Sequence, residues 1–189
     1  MELKKERVIS IPTEYHTVTK IFHWLTAAAI FCVVPLGIAM TNAQPGGVQN
    51  QLYDLHRSFG ALILGIAAVR LLWRLFTPPP PLVKGLPRWQ ELAARGTHYA
   101  LYVLLFSVPL MGWAGTSAFR ATIVVFGLFE LPPILPQNRD LSMVLLNTHK
   151  LLAFTLCVVL ALHIAAALHH HFIRKDMTLR RMLPRLGRR

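Results

Sequence analysis

Four long apolar stretches constrain the fold of this chain more than any other feature. Each holds about 20 mostly apolar residues, the length that an α-helix needs to cross the hydrocarbon core of a bilayer, and none contains an Asp or Glu. A helix satisfies its own backbone hydrogen bonds, as a spanning segment must. The sequence therefore predicts an all-α membrane protein with four transmembrane helices, at roughly residues 20–40, 55–76, 97–119 and 147–173.

The connections indicate one antiparallel bundle. Short links join the predicted helices, so residues 1–189 form a single transmembrane domain. The first apolar stretch is too long for a signal peptide and lacks an Ala-x-Ala-like cleavage site, so we expect it to be retained. The link at residues 120–146 contains ATIVVFGLFELPPILP, which is too short and too rich in proline to span. We expect a short helix there, lying at the membrane surface.

The net charge of +12 could indicate a nucleic-acid partner, but its distribution argues against one. Most of the basic residues fall on one predicted side of the membrane: Lys4, Lys5, Arg7, Lys20, Arg70, Arg74, Lys84, Arg88, Arg95 and those from Arg174 onward. Only Arg57, Arg120, Arg139 and Lys150 fall on the other side. Because cytoplasmic loops carry the excess of Lys and Arg, we predict a multi-pass membrane protein with both termini in the cytoplasm.

Histidines inside the apolar stretches are the candidate functional residues, since ionisable groups in a bilayer are costly unless they have partners. In the predicted orientation His23 lies near the inner face, whereas His56 and His149 lie near the outer face. His163 follows His149 by 14 residues, which is close to four helical turns and ~21 Å. It therefore shares a helix face with His149 and lies at about the depth of His23.

Two pairs result, His56 with His149 at the outer level and His23 with His163 at the inner level. Opposed imidazoles suit axial coordination of a haem iron, and two axial histidines leave no position open for oxygen, so such a site transfers electrons. The chain has no Cys-x-x-Cys-His attachment motif. We therefore predict two non-covalent b haems in the bundle. The alternative, zinc, needs three or four ligands at one point, and these histidines divide between two depths.

Other residues near these pairs have two interpretations each. Some small residues would let either a porphyrin or a second helix approach the backbone: Gly60, Gly65, Gly112 and Gly115. His98 and the run His169–His171 are either interfacial anchors or part of a quinone pocket, where imidazole donates to a carbonyl and relays protons. His170 is the preferred quinone residue, because it lies about two turns beyond His163 on the same face.

In this order and spacing, the residues resemble the bacterial cytochrome b-561 family of small di-haem membrane proteins, over nearly the whole chain. The elements that carry the resemblance are His23-Trp24, His56 with Gly60, Arg70 and Arg74 before a proline-rich exit, His98 with Tyr102, His149, His163, His170-His171 and the tail from Lys175-Asp176 to Met182-Leu183-Pro184. The resemblance implies two b haems on the four paired histidines and electron exchange with ubiquinone. Close relatives are described as superoxide:ubiquinone oxidoreductases.

The leading hypothesis is an enzyme that passes electrons from periplasmic superoxide through the outer and then the inner haem to ubiquinone. Arg57 and Lys150 adjoin the outer ligands, and their charge would either steer superoxide or serve as ordinary loop charge; Arg120 and Arg139 would flank the approach. The alternative is a cytochrome b subunit that docks through residues 126–131 to a redox partner protein of the dehydrogenase or hydrogenase type. A transporter or scaffold without haem is the third hypothesis.

Overall fold

A computed structural model describes residues 14–83 and 85–184 of the chain, and this part is an all-α membrane protein apart from one small β-hairpin. Each of its long helices is long and apolar enough to cross a membrane. The elements in chain order are α1 (Thr17–Asn42), α2 (Gly47–Phe76), α3 (Arg88–Phe119), β1 (Ile123–Val125), β2 (Phe129–Leu131), α4 (Arg139–Phe172) and a 3-10 turn (Arg180–Met182). The predicted fold class of four membrane-spanning helices is confirmed.

The four helices associate as two helical hairpins. α1 packs mainly on α2, α3 packs most extensively on α4, and the contact between α2 and α3 is smaller. A cluster of apolar side chains joins the two hairpins, with Ala29 and Ile30 of α1, Ile63 and Ala67 of α2, and Leu105 of α3. We call the end of the bundle that holds residues 43–46 and 120–138 the hairpin end. The end that holds residues 14–16, 77–83, 85–87 and 173–184 is the terminal end.

Large apolar side chains cover the outside of the bundle. Phe31 is 64% exposed, Phe154 70% and Leu162 64%, whereas a protein in water would bury most residues of this kind. Their solvent is therefore the acyl chains of lipid, in which a helix surface of this composition is stable.

Three of the helices begin earlier than predicted. α2 begins at Gly47, α3 at Arg88 and α4 at Arg139, about two turns before the apolar stretches that predicted them. The added turns are more polar, so hydropathy did not detect them, yet their backbone hydrogen bonds continue the helix. At the start of α4 the side chain of Asn138 accepts a hydrogen bond from the N–H of Leu141 at 3.0 Å, which caps that helix.

The expected surface helix in residues 120–146 is wrong: the structure has a β-hairpin there. β1 and β2 pair antiparallel, with Val124 opposite Glu130. Phe126 and Gly127 both have positive φ, and the N–H of Leu128 donates to the carbonyl of Val125 at 2.9 Å, as a type I′ turn requires. β-branched residues around a turn of this kind favour strands, so the apolar character of the segment was misread as helical.

Ser58 fastens this β-hairpin to α2. Its hydroxyl accepts a hydrogen bond from the N–H of Phe126 at 2.9 Å and donates to the carbonyl of Asp54 at 2.8 Å. The side chain is 1% exposed, and the rings of Phe59 and Phe126 pack beside it with centres 5.3 Å apart. The hairpin is therefore held over the end of α2 that carries His56.

The segment after α4 folds back over the terminal end. Trp24 donates its indole N–H to the carbonyl of Met182 at 3.0 Å, and Arg181 donates to the carbonyl of Pro81 at 2.9 Å. Arg174 reaches Gln90 of α3 at 2.9 Å. Some residues that contribute to the predicted orientation lie outside the described part of the chain: Lys4, Lys5, Arg7, Lys84, Arg185, Arg188 and Arg189.

Candidate haem sites

His56 of α2 and His149 of α4 face each other near the hairpin end. Their ring centres are 6.0 Å apart and their planes make an angle of 87°. An imidazole nitrogen lies about 2 Å from a metal that it binds and roughly 1 Å from its own ring centre, so two opposed ligands have ring centres about 6 Å apart. The separation of this pair is compatible with a shared metal.

His56 lies against the backbone of α1. A Cβ added to Gly37 would come within 3.0 Å of the His56 ring, so only glycine leaves room for the imidazole there. The ring donates its Nδ1–H to the carbonyl of Val33 at 3.0 Å. With the proton held on Nδ1, Nε2 has a free lone pair, which is the arrangement that metal-binding histidines usually show.

His149 repeats this arrangement against α3. A Cβ added to Gly112 would come within 3.0 Å of its Nδ1, and Nδ1 donates to the carbonyl of Val108 at 2.8 Å. Both rings at the hairpin end therefore occupy cradles of glycine and backbone carbonyl that fix the same tautomer. These cradles fit the axial ligands of a haem.

Three histidines gather at the terminal end. The ring centres of His23 (α1) and His163 (α4) are 6.3 Å apart with planes at 62°. His98 of α3 lies closer to His163, at 5.4 Å, and its Nδ1 donates to the carbonyl of Ala94 in its own helix at 2.7 Å. From the sequence, His98 was either an interfacial anchor or a quinone residue, and the structure brings it to the predicted inner ligands. On spacing, His23 with His163 is the better match to two opposed ligands.

Arg70 of α2 contacts His23. Its Nη2 donates to His23 Nδ1 at 3.3 Å, and its guanidinium lies 5.4 Å from the centre of the Tyr102 ring. At this end, then, His23 has a charged side chain as its neighbour, whereas His56 and His149 contact glycine and backbone.

A spacing of 14 residues recurs in all four helices, although the predicted haem ligands rest on it only in α4. Because 14 residues are nearly four turns, the two members of each pair share a face. The pairs are His23 and Gly37 in α1, His56 and Arg70 in α2, His98 and Gly112 in α3, and His149 and His163 in α4. Gly37, Val33 and Val108 were not predicted as site residues; this repeat would have identified Gly37, while the carbonyls leave no signal in the sequence.

His56 and His149 both line a cavity at the hairpin end. Gly60 and Gly112 also line it, and Ile123 of the β-hairpin contributes to it. Gly65 has open space around it, and Gly115 packs on Leu146, so an added Cβ at these two predicted small residues would not meet a histidine ring.

The two predicted steering residues differ in position. Arg57 lines the cavity, where its guanidinium lies 5.3 Å from the centre of the Tyr53 ring and 3.5 Å from a carboxylate oxygen of Asp54. Lys150 is exposed and is not part of the cavity wall. Arg57 therefore faces the predicted outer site, and Lys150 contributes at most from the surface.

His170 is paired with a carboxylate. Its Nδ1 donates to Asp176 Oδ2 at 2.6 Å, and the N–H of Thr178 donates to Oδ1 at 2.9 Å. Partial burial acts to raise the pKa of the Asp176 carboxyl, but hydrogen bonds from Thr178 and His170 outweigh it and lower the pKa from 3.8 to about 2. Asp176 is thus ionised at neutral pH and orients the His170 ring.

Within residues 14–83 and 85–184, no three His, Cys, Asp or Glu side chains converge on one point as ligands of a metal ion. The histidines instead oppose each other in pairs across the bundle. Four apolar spanning helices with such pairs at two depths are the architecture of a membrane-bound b-type cytochrome.

Comparison with known proteins agrees with this class. The family model described as prokaryotic cytochrome b561 matches residues 14–185, and the chain belongs to that family. Its members are membrane electron-transfer proteins that bind b-type haem, and the chain is accordingly a bacterial membrane protein.

Three relatives cover most of the chain. Cytochrome b561 homolog 2 of Escherichia coli (strain K12) is 36% identical over 91% of this chain and 92% of its own length. A protein of Yersinia pestis named probable superoxide oxidase CybB is 34% identical, over 86% and 92% respectively. Cytochrome b561 homolog 1 of Escherichia coli (strain K12) is 29% identical, over 86% and 93%.

Proposed function

We propose that residues 1–189 form one cytochrome b domain that holds two non-covalent b haems. His56 and His149 would bind the one at the hairpin end, and His23 and His163 the one at the terminal end. The observation that supports this most is the separation of the ring centres, 6.0 and 6.3 Å, at two levels of one bundle. Pyridine haemochrome quantitation of the purified protein should give about two haems per chain; a ratio of one would contradict the proposal.

The proposed activity is that of a superoxide:ubiquinone oxidoreductase. When bound, the two haems supply one-electron carriers at two depths of the membrane. Two superoxide anions each give up one electron and leave as dioxygen, and one ubiquinone takes up both electrons with two protons and leaves as ubiquinol. Support comes from the Yersinia pestis relative named probable superoxide oxidase and from Arg57 in the wall of the cavity beside His56 and His149.

Arg57 would attract the anionic substrate to the hairpin end. Positive charge above a cleft raises the encounter rate of a small anion, and Asp54 compensates only part of it, because that ion pair is 3.5 Å long and its carboxylate is exposed. Lys150, Arg120 and Arg139 would add a weaker field from the surface.

The quinone would bind at the terminal end. His170, oriented by Asp176, would donate a hydrogen bond to the quinone carbonyl and pass it a proton. His98, next to His163, would lie between the inner haem and the quinone. This end would face the cytoplasm of a bacterial inner membrane, because its loops carry most of the basic residues.

The alternative function is a cytochrome b subunit that links a dehydrogenase- or hydrogenase-type partner to the quinone pool. One observation favours it: the β-hairpin presents apolar side chains outward, with Leu128 80% exposed and Phe129 55%. A partner protein docked on this tip would deliver electrons to the haem beneath it.

A superoxide pulse applied to the purified protein separates the two functions. Stopped-flow absorbance should show direct haem reduction in the proposed enzyme, at a rate that falls with ionic strength because the Debye length shrinks to ~8 Å at physiological salt. Arg57→Gln should slow this reduction several-fold, and Lys150→Gln should slow it less. Reduction of the haems by quinol, from the other end, should stay unchanged in both variants. If superoxide does not reduce the haems of the purified protein, the alternative function, an electron-transfer subunit that needs a partner, would be supported instead.

A further inference from the structure

Arg70 is a charged residue inside a spanning helix, and in the described part of the chain it has no acidic partner. Its Nε is buried and has no hydrogen-bond partner within residues 14–83 and 85–184. The ion pairs in that part of the chain join other residues. Because a guanidinium away from water is costly unless an anion or a set of acceptors compensates it, an anion beside that Nε would stabilise Arg70.

Arg74 brings a second positive charge to the same place. It lies one turn beyond Arg70 on α2, and its guanidinium is 5.5 Å from the centre of the Tyr102 ring, compared with 5.4 Å for Arg70. Two like charges gathered around one ring repel each other, and an anion between them would remove that repulsion.

The contact between Arg70 and His23 also indicates an anion. Arginine only donates hydrogen bonds, so His23 Nδ1 accepts the bond and cannot carry the ring proton while it does. A histidine that binds iron through Nε2 carries its proton on Nδ1, as His56 and His149 do. If His23 binds iron in this way, Arg70 must release it and find another acceptor close by.

The position of Arg70 identifies this acceptor. Arg70 follows His56 by 14 residues and so shares its inward face, about 21 Å further toward the terminal end. It thus lies at the level of His23 and His163, and Arg74 lies one turn closer to the surface. A haem between these histidines carries two propionate carboxylates, and guanidinium groups bind carboxylates through two parallel hydrogen bonds.

We propose that Arg70 and Arg74 hold a propionate of the terminal-end haem and raise its midpoint potential. The inference rests on the proposed haem between His23 and His163. A positive charge next to a haem favours its reduced form, which carries one positive charge fewer. At the hairpin end Arg57 is paired with Asp54, so the charge there is partly compensated. The higher midpoint potential of the terminal-end haem would make electron transfer from the hairpin end to the terminal end favourable.

Redox titration of the full-length protein with its haems tests the effect on potential. Arg70→Gln should lower the midpoint potential of one of the two haem components and leave the other unchanged. Arg70→Lys, which keeps the charge but loses the planar fork, should give an intermediate value. Arg95→Gln removes a charge from an exposed residue near the terminal end of α3 and serves as the matched control with little change. Two haems whose potentials do not respond to Arg70→Gln would overturn the inference and leave the haem assignment intact.

Loading with haem dimethyl ester, in which the propionates carry no charge, identifies the anion. Arg70→Gln should weaken retention of haem b about 10- to 100-fold, the usual effect of losing hydrogen bonds to a charged group, and should leave retention of the dimethyl ester unchanged. An equal loss for both porphyrins would show that Arg70 does not act through a propionate and would overturn the inference. If the unsubstituted protein holds a haem at the hairpin end alone, the proposed terminal-end site itself fails.

Discussion

At the scale of single residues, the ring nitrogen that carries the proton determines which nitrogen of a histidine is free to bind a metal. His56 and His149 each use Nδ1 to bind a carbonyl of the adjacent helix, and this choice presents Nε2 to the cavity. Glycine at positions 37 and 112 makes the close approach possible. The backbone of α1 and α3 thus orients side chains that belong to α2 and α4.

We expect Gly112→Ala to disturb the hairpin-end haem. The new methyl group would lie 3.0 Å from His149 Nδ1, and the ring cannot yield without lengthening its bond to Val108. The absorbance and EPR signals of one haem should shift toward a high-spin form, with less haem retained. Gly65→Ala is the matched control: its added Cβ meets nothing within 4 Å, so both haem signals should stay as they are. Equal haem spectra for Gly112→Ala and Gly65→Ala would contradict the role of Gly112 in positioning the His149 ring.

At the scale of elements, the β-hairpin and the terminal segment close the two ends of the bundle by polar contacts. One serine hydroxyl holds the β-hairpin on α2. The segment after α4 depends on Asp176, whose carboxylate accepts bonds from His170 and Thr178. Both closures are local, so each can be tested without changing the histidines of the predicted haem sites.

Ser58→Ala should loosen the β-hairpin. Removal of the hydroxyl leaves the partly buried N–H of Phe126 without its acceptor, at a cost of up to about 1–3 kcal/mol. Hydrogen exchange in peptides that cover residues 122–131 should become faster, while exchange in α1 should not change. Ser107→Ala provides the control, since the Ser107 hydroxyl is buried and has no hydrogen-bond partner in the described part of the chain. Faster exchange in both variants would show that the effect is unspecific.

Acidification should release the terminal segment. A carboxyl whose pKa is lower in the folded protein adds stability above its ordinary pKa, and that stability is lost as the pH falls to the folded value. With the pKa of Asp176 lowered from 3.8 to about 2, the segment should stay docked above about pH 4 and detach between about pH 4 and 2. Pepsin cleavage within residues 173–184 measures this. The Asp176→Asn variant should already be cleaved readily at pH 4. If cleavage of the unsubstituted protein does not change between about pH 4 and 2, the carboxylate of Asp176 does not hold the segment.

At the scale of the whole molecule, the two histidine pairs lie at separate levels that one helix, α4, connects. His56→Ala or His149→Ala should therefore remove or convert one haem component, and His23→Ala or His163→Ala the other, since loss of an axial imidazole opens the site. Low-temperature absorbance resolves the two components. If His56→Ala and His23→Ala altered the same component, the division into two levels would be wrong.

Hydropathy and spacing were sufficient to predict the fold and the histidine pairs. Spanning helices leave long apolar stretches in the sequence, and the 14-residue spacing of His149 and His163 indicates one face. The structure brings together His56 with His149, and His23 with His163, as expected. Their role as ligands stays a prediction.

Features that depend on contacts between helices could not be read from the sequence. The carbonyls of Val33 and Val108 are common to every residue, so composition carries no sign of their use. The β-hairpin was missed because short apolar segments with β-branched residues fit a surface helix as well as strands. Arg70 was counted as topological charge and as part of the family resemblance, and its contact with His23 and its Nε, unpartnered among the described residues, indicated more.

The division of the bundle into two helical hairpins has a consequence for biogenesis. Each histidine pair takes one member from the α1–α2 half and one from the α3–α4 half, and direct packing between the halves is modest. The ribosome can therefore deliver two inserted halves before either proposed porphyrin site exists, and cofactor insertion would then join them. In a cell short of haem, the contact between the halves would rest mainly on the apolar cluster around Ile63, Ala67 and Leu105, so newly made chains would be less stable than chains that have received their haems.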